Sequence, residues 1–419
     1  MTPYWDNGPV QLYQADARTI PLSDQSVHCV VTSPPYFGLR VYKDNDDRGI
    51  GLESTVEDYI GNLVDVFREV RRVLRDDGVA WLNLGDSYGD GGDRLGIPER
   101  VVLALQADGW VWRDTVIWAK KSAMPESLAG WRWERCRVNI EHRAKASGNQ
   151  QWSAETGQSM RAGGVPISPA QWEDCPGCPK CADNDGLVLR RGSWRTTQAH
   201  EYIYMLTKGM GYYADGEAVK TAAIHTGRVV KATGNGAKNS GHINNTADGF
   251  THHDTLVGTG ANRRSVWNDI SPEPYGGSHF ATFPSDLPRI CIQASTSEAG
   301  CCSECGAQWA RVVERTAVQD AGRNGDAKYI DHGDRNDGER RLGQQYQDQL
   351  GTQTLGWRPT CNHNAPSIPA TVLDPFSGTA TTCRAAQKLG RRAVGVDISE
   401  SYLEQAVRRL SAVTLPMGI

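Results

Sequence analysis

The chain has 419 residues, a length that suits two or three domains or one large domain with insertions. Its 45 basic and 49 acidic residues give a formal net charge of −4, which excludes a uniformly basic nucleic-acid-binding protein but not a local basic face. The first residues lack the pattern of a signal peptide and no apolar run is long enough for a membrane span, so we expect no membrane contact.

The first 120 residues alternate predicted strands with predicted helices. Residues 10–36 give two strands around a loop, and apolar residues at helical spacing predict a helix over 54–75, with Ser54 and Glu57 as a capping box. The next predicted elements are a buried strand at 79–88, a helix at about 98–107 and a strand pair at 109–121. This alternation predicts a mostly parallel sheet with helices on both faces.

The pattern changes after about residue 130, where Arg, Trp, Gly, Pro and Cys become frequent. Strand character returns at 200–215, and 279–295 predicts a turn followed by a helix. The stretch 221–265 has little apolar periodicity and predicts a long loop. Residues 317–356 are rich in Gln, Gly, Asp and Arg, and we expect them to be mobile.

The C-terminal stretch predicts a βαβ unit. A strand at Thr371–Leu373 leads into a loop of small residues, then a helix at about 380–389 and a strand at Ala393–Val396 that ends in Asp397. Gly378 allows a ligand to approach the backbone, and a carboxylate after the second strand can accept both hydroxyls of a ribose. The loop is not G-x-G-x-x-G, so a nucleoside without phosphates is favoured over NAD.

The segment Ser33-Pro34-Pro35-Tyr36 follows the second predicted strand. Two consecutive prolines remove two backbone donors and fix two φ angles, and the residue before each proline is kept out of the helical region. The motif therefore predicts a stiff, extended segment with exposed carbonyl groups and an aromatic ring at its end.

These two motifs together resemble those of the S-adenosylmethionine-dependent amino-methyltransferases of DNA, in the circularly permuted class called beta and of the type found in phages and bacteria. The resemblance implies a Rossmann-like, doubly wound, mostly parallel methyltransferase sheet, and we expect the residues outside the resemblance to form insertions stabilised by zinc. Ala380 stands where the family loop usually has a second glycine. The implied catalytic residues are Ser33, Pro34, Pro35 and Tyr36, and the implied cofactor-binding residues are Asp16, Phe283, Asp374, Pro375, Phe376, Ser377, Gly378, Thr379 and Asp397.

The implied reaction moves a methyl group to the exocyclic amine of a base flipped out of double-stranded DNA. Carbonyls near Ser33 would accept the amino protons, and Tyr36 would stack on the base. Serine at the head of the motif favours cytosine N4, and adenine N6 is the alternative. Further alternatives are an RNA or small-molecule N-methyltransferase and a catalytically inactive zinc-ribbon DNA-binding protein. The family implies a bacterial or phage-infected cytoplasm, and no obligate protein partner is evident.

Eleven cysteines in a chain without a signal peptide favour thiols or metal over disulfides. The C-x2-C spacing places two thiolates on one tetrahedral ion, for which zinc is the default, although an iron–sulfur cluster or free thiols are alternatives. We expect one zinc site at Cys136, Cys175, Cys178 and Cys181, with His142 as the rival fourth ligand, and another at Cys302, Cys305, Cys361 and His363, with Cys301 as a competitor. Core positions are expected for Cys29, Cys291 and Cys383.

Basic residues and tryptophans interleave around the first cysteine group. This composition suits contact with phosphates and bases, while the alternative is a solvated surface over a tryptophan core. The candidate DNA-binding residues are Arg132, Arg135, Arg137, Arg190, Arg191 and Arg195.

The expected layout has five segments. In order they are a catalytic half (1–130), a zinc-knuckle insertion for target recognition (131–199), a return to the methyltransferase domain with a long loop at 221–265 (200–295), a zinc-ribbon insertion with a mobile part at 317–356 (296–368), and the cofactor-binding βαβ unit (369–419).

Overall fold

The computed structural model describes residues 1–38, 49–121, 129–139, 151–152, 159–160, 172–222, 229–230, 255–256, 260–271, 283–315 and 352–412. The chain forms two compact units, one comprising Met1–Ser122 with Ala199–Ile419 and the other Ala123–Gln198. Within the described residues, no helix is long and apolar enough to cross a membrane.

A nine-stranded sheet is the centre of the first unit. Its strands in chain order are β1 (Trp5–Asp6), β2 (Val10–Gln14), β3 (Val27–Thr32), β4 (Leu74–Leu84), β5 (Val111–Ala119), β6 (His200–Thr207), β7 (Val266–Trp267), β8 (Thr371–Asp374) and β9 (Arg392–Asp397). They lie side by side in the order β1-β2-β9-β8-β3-β4-β6-β5-β7. Only β1 and β6 run against the other seven, so the sheet is mostly parallel, as expected.

Helices cover both faces of this sheet, which confirms the doubly wound architecture. The helices are α1 (Val56–Val73), α2 (Ile97–Ala107), α3 (Asp286–Ser295), α4 (Thr381–Lys388) and α5 (Glu400–Ser411). Side chains alternate along β3: Val30 packs into the core beneath α1 and α2, while Cys29 and Val31 pack into the core beneath α3, α4 and α5. Both faces are therefore buried, which explains why β3 is an unbroken apolar run.

The C-terminal strands lie within the sheet and not at its edge. Strand β8 pairs in parallel with β3, with Val372 opposite Cys29 and Leu373 opposite Val30, and its other neighbour is β9. Because the ends of parallel strands share one edge, this order brings the residues after β3, β8 and β9 together.

Two predictions about local structure were wrong. Helix α1 is capped one residue later than expected, by Thr55, whose Oγ1 accepts a hydrogen bond from the Asp58 N–H at 3.1 Å. The expected strand pair at 109–121 is the single strand β5, because both neighbouring positions are filled by other strands. Within the segment expected to be mobile, residues 352–356 belong to a strand, Thr352–Arg358, paired with Ala310–Arg315, and 317–351 lie outside the described residues.

The remaining described elements are short. In the first unit, Cys301–Cys302 pairs with Ser367–Ile368, Thr221–Ala222 with Gly260–Ala261, and Val229–Val230 with Thr255–Leu256, beside a 3-10 turn at Gly216–Val219. In the second unit, Arg132–Arg135 pairs with Leu187–Arg190, Arg137–Asn139 with Trp172–Asp174, and Gln151–Trp152 with Ser159–Met160, beside a 3-10 turn at Ala182–Asn184.

Candidate active site

The two sequence motifs meet at the carboxyl ends of β3 and β8. Thr32 ends β3, and its hydroxyl donates to Asp374 Oδ1 at the end of β8, at 2.7 Å. The hydroxyl of Thr382, in α4, donates to the Val31 carbonyl at 3.2 Å. Segments more than 300 residues apart in the chain therefore form adjoining walls at one edge of the sheet.

Asp374 is buried and links the two walls by hydrogen bonds. Its side chain also accepts from the Phe376 N–H at 3.1 Å, and the residue is only 2% exposed. Burial raises the pKa of its carboxyl group to about 6, with the hydrogen bonds from Thr32 and the Phe376 N–H acting in the opposite direction. The carboxylate is thus placed to hold the loop against β3.

The loop of small residues turns closely over the end of β9. The Ser377 N–H donates to the Val396 carbonyl at 2.9 Å. A Cβ on Gly395 would lie 2.9 Å from the Ser377 Cβ and 2.8 Å from Leu12 Cδ2, so a glycine is required there for the loop to approach. This contact shapes the wall where the resemblance places the cofactor.

Asp397 ends β9 half-buried, with its carboxylate held by the backbone. It accepts from the Gly378 N–H at 2.7 Å and from the Ser399 N–H at 2.9 Å. Burial raises the pKa of Asp397 to about 6, although these N–H groups favour the ionised form. A carboxylate has about four acceptor positions, so two such bonds leave capacity for ribose hydroxyls.

Ala380 is in the left-handed conformation, at φ +62°. This explains why the family usually has glycine there, because a Cβ makes that backbone conformation unfavourable by about 1 kcal/mol. The Ala380 methyl group is fully buried in the core beneath α3, α4 and α5, and that burial offsets part of the cost.

Tyr36 is held by a polar network that the sequence did not predict. Its hydroxyl donates to Glu201 Oε2 at 2.8 Å, and Asn83 Nδ2 donates to the same oxygen at 2.7 Å. Lys120 forms an ion pair with Glu201 Oε1. Burial and the nearby Glu201 raise the pKa of Tyr36 well above its usual value, so its hydroxyl remains a neutral donor.

Glycine and carbonyl contacts fix the orientation of the S-P-P-Y segment. A Cβ on Gly85 would lie 2.7 Å from Tyr36 Cε2, so the ring lies directly against the backbone after β4. The Tyr59 hydroxyl, in α1, donates to the Pro35 carbonyl at 2.9 Å. Asn83 Nδ2 lies 3.3 Å from the Ser33 hydroxyl.

The two weaker cofactor candidates lie in different surroundings. Asp16 follows β2 directly after Ala15, and the Ala15 N–H donates to the Asp397 carbonyl at 3.1 Å. The Asp16 carboxylate forms an ion pair with Arg18 at 2.7 Å. Phe283 is half-buried and packs against the core beneath α3, α4 and α5. The roles of both residues stay predictions.

Both predicted cysteine groups come together. In each group all four ligand atoms lie within 4.8 Å of one another; the members are Cys136, Cys175, Cys178 and Cys181 (the Cys136 cluster) and Cys302, Cys305, Cys361 and His363 (the Cys302 cluster). Cys301 is outside the second group, since its thiol donates to the Ile368 carbonyl at 3.4 Å. The rival ligand His142 lies outside the described residues.

The Cys136 cluster has the spacing of a tetrahedral thiolate site. Its Cys136–Cys178 and Cys178–Cys181 sulfur distances are 3.8 and 3.7 Å. Four sulfurs at about 2.3 Å from a zinc ion are separated by about 3.8 Å, whereas a disulfide requires about 2.05 Å. The residues therefore fit a zinc ion. Cys29, Cys291 and Cys383 are buried in the core, as expected.

The candidate DNA-binding arginines lie on the second unit, and all except the half-buried Arg195 are exposed. Arg191 stacks over the exposed Trp131 ring at 5.0 Å. Arg132 and Arg190 both pair with Glu134. Their contact with DNA stays a prediction.

A family model described as a DNA methylase matches residues 27–302 and 368–408, which is well over half of the chain. The chain belongs to the N6/N4 DNA methylase family. The methylase is thus an enzyme of the class that methylates amino groups of bases in DNA.

Relatives of the methylase include Type II methyltransferases. It is 27% identical to M.SmaI of Serratia marcescens over 93% of this chain and 86% of that protein, and 31% identical to M.Cfr9I of Citrobacter freundii over 68% and 72%. Among solved structures it is similar to PvuII DNA methyltransferase (cytosine-N4-specific), at 12% identity and a TM-score of 0.47, over 98% and 90% of the chains.

Proposed function

We propose that the methylase transfers the methyl group of S-adenosylmethionine to N4 of a cytosine flipped out of double-stranded DNA. The hydrogen bond between Thr32 and Asp374 carries this proposal, because it joins the S-P-P-Y segment to the D-P-F-S-G-T loop at one edge of the sheet. We assign the base to the wall formed by the S-P-P-Y segment and the methyl donor to the wall formed by the D-P-F-S-G-T loop.

The donor, when bound, supplies an electrophilic methyl carbon on a good leaving group. Asp397 would hold the ribose hydroxyls, and the loop from Asp374 to Thr379 would line the methionine end. Tyr59 already occupies the Pro35 carbonyl, so we assign the carbonyls of Ser33 and Pro34 to the amino protons of the base. These bonds would direct the nitrogen lone pair toward the methyl carbon, and much of the catalysis would be positioning.

Ser33 supports cytosine over adenine as the target. Many adenine-specific enzymes of the family resembled here begin the motif with Asp or Asn, whereas this chain has serine. Adenine N6 is the alternative, because both amines present the same two protons to a pair of carbonyl acceptors.

The test is to express the methylase in a bacterial host that has no DNA methylases of its own, digest the DNA to nucleosides and measure methylated bases by mass spectrometry. N4-methylcytosine is expected, and the Asp397→Ala variant should yield none. N6-methyladenine without N4-methylcytosine would overturn the choice of base. Absence of both products, from protein that binds S-adenosylmethionine, would overturn the proposed function. Long-read sequencing of the same DNA would identify the recognition sequence.

We also propose that both cysteine clusters hold structural zinc and that the five-segment layout describes the division of labour. The zinc-knuckle insertion, 131–199, would recognise the target sequence. Its exposed arginines and the exposed side chains of Trp131, Trp133, Trp172 and Trp194 support that role, because stacking and phosphate contact need accessible rings and cations.

A further inference from the structure

The Cys302 cluster lies at the edge of the sheet opposite the candidate active site. Its loop contacts the beginnings of two central strands. The carbonyl of Gly306 accepts from His28 Nε2, near the start of β3, at 3.0 Å. The carbonyl of Cys305 accepts from Arg75 Nη1, near the start of β4, at 2.8 Å. A Cβ on Gly306 would overlap the Arg75 guanidinium group, which would then have to move, and the φ of +70° at Gly306 favours glycine.

His28 extends this contact to a third strand. Its Nδ1 accepts from the N–H of Thr371, the first residue of β8, at 3.1 Å, so the proton is on Nε2 and is donated to Gly306. His28 is 5% exposed, and burial together with the nearby Arg75 lowers its pKa to about 4. The ring is therefore neutral near pH 7 and keeps both bonds.

We propose that zinc at the Cys302 cluster holds the beginnings of β3, β4 and β8 in register and thereby supports the cofactor site at their far ends. The inference rests on the proposed zinc sites. Strand β3 has six residues and is therefore about 20 Å long, with the Cys302 cluster near its beginning and the candidate active site at its end. The rigid strands connect them: β3 ends at Thr32 and β8 ends at Asp374, the pair that joins the two walls. The Cys136 cluster, in the other unit, provides the matched control.

The experiment compares Cys305→Ser with Cys178→Ser in the full-length protein, measuring zinc content by mass spectrometry and S-adenosylmethionine binding by calorimetry. Each variant should lose the zinc of its own cluster. Cys305→Ser should weaken cofactor binding by about tenfold, and Cys178→Ser by less than about twofold. Equal effects, or loss of zinc from the Cys302 cluster with unchanged cofactor binding, would overturn the proposal.

Arg75→Met covers the case in which Cys305→Ser does not fold. It keeps all four ligands and removes one contact with the strand, so zinc should remain while cofactor binding weakens by about threefold. Unchanged binding in Arg75→Met would count against the proposal. Wild-type protein purified without zinc would overturn this inference and leave methyl transfer intact. Zinc-dependent cofactor binding without DNA methylation would instead overturn the proposed function.

Discussion

At the residue scale, the most informative group is the Tyr36 hydroxyl. It connects the S-P-P-Y segment to Glu201, which in turn binds Asn83 and Lys120. Both Lys120 and Glu201 lie within the residues that the family model matches, but nothing in the sequence indicates that their side chains meet Tyr36. We assign Glu201 as a positioning residue that fixes the Tyr36 ring.

Glu201→Gln should reduce the single-turnover methylation rate by about tenfold while cofactor affinity stays unchanged, because the amide still accepts a hydrogen bond but leaves Lys120 without its anion. Tyr36→Phe should act through the same contact, so the double variant should be no slower than about the worse single variant. Glu57→Gln, at an exposed pair with Arg100, is the control. Additive losses would show that the two residues act separately.

Cofactor binding should depend on pH through Asp397. The pKa of this carboxyl group in the free enzyme is raised to about 6 by burial, and ribose hydroxyls need the ionised form as acceptor. Affinity should therefore be constant above about pH 7 and fall by up to about tenfold per unit below pH 6. Calorimetric titrations from pH 5 to about 7 would measure this, and Asp397→Asn should weaken the dependence, leaving only the part due to Asp374, whose pKa is also raised to about 6 by burial. A flat wild-type profile would contradict the assignment.

At the element scale, the close approach of the D-P-F-S-G-T loop to β9 depends on Gly395. A side chain there meets Ser377 and Leu12 at under 3 Å, and Leu12 belongs to the neighbouring strand β2. The loop, β9 and β2 would all have to shift to accept it, because packed interiors cannot absorb such overlaps.

Gly395→Ala should lower the free energy of unfolding by about 2 kcal/mol and weaken S-adenosylmethionine binding. The control is Gly61→Ala, in α1, where an added Cβ meets nothing within 4 Å. That variant should gain about 0.5–1 kcal/mol, because alanine is the better helix former. Urea unfolding of both variants measures these free energies. A Gly395→Ala variant with wild-type stability and normal cofactor binding would rule out the close approach of the loop to β9.

At the scale of the whole molecule, the second unit is an insertion between neighbouring antiparallel strands. Ala119 in β5 lies opposite His200 in β6, and the Lys120 N–H donates to the Ala199 carbonyl at 2.8 Å. The two ends of the insertion are therefore already at hairpin distance, and the first unit has its own core on both faces of the sheet.

Replacing residues 122–197 with an Asn-Gly turn should leave a folded protein, because this dipeptide suits a two-residue hairpin. It should bind S-adenosylmethionine within about threefold of the wild type, since the assigned cofactor residues remain. Sequence-specific DNA binding should be lost. Gel-shift and calorimetric measurements check both, and specific DNA binding by the shortened protein would refute the recognition role.

The pair Arg190→Ala and Arg191→Ala should weaken DNA binding and flatten its dependence on salt. Each lost phosphate contact changes the slope of log K against log salt concentration by about 0.9. Arg408→Ala, an exposed arginine of the other unit whose side chain is 79% accessible, should leave the slope unchanged. A wild-type slope in the double variant would remove both arginines from the DNA contact.

The sequence by itself determined the elements and the chemistry of the motifs. Apolar periodicity, the two prolines, the small-residue loop and the C-x2-C spacings are local patterns, and each restricts the backbone or the ligands within a few residues. From them follow the mostly parallel sheet and the two four-ligand groups, and the two motifs together carry the family resemblance that implies methyl transfer. The position of the α1 cap was missed because adjacent Ser54 and Thr55 are both good caps, so the sequence alone does not choose between them.

The tertiary structure alone decided which distant groups touch. Tyr36 and Glu201 are 165 residues apart, and His28 and Gly306 are 278 apart, yet both pairs are joined by hydrogen bonds. Such contacts depend on the order of strands in the sheet, which places β3, β4, β6 and β8 side by side. Strand order results from the packing of the whole chain, and no local pattern encodes it.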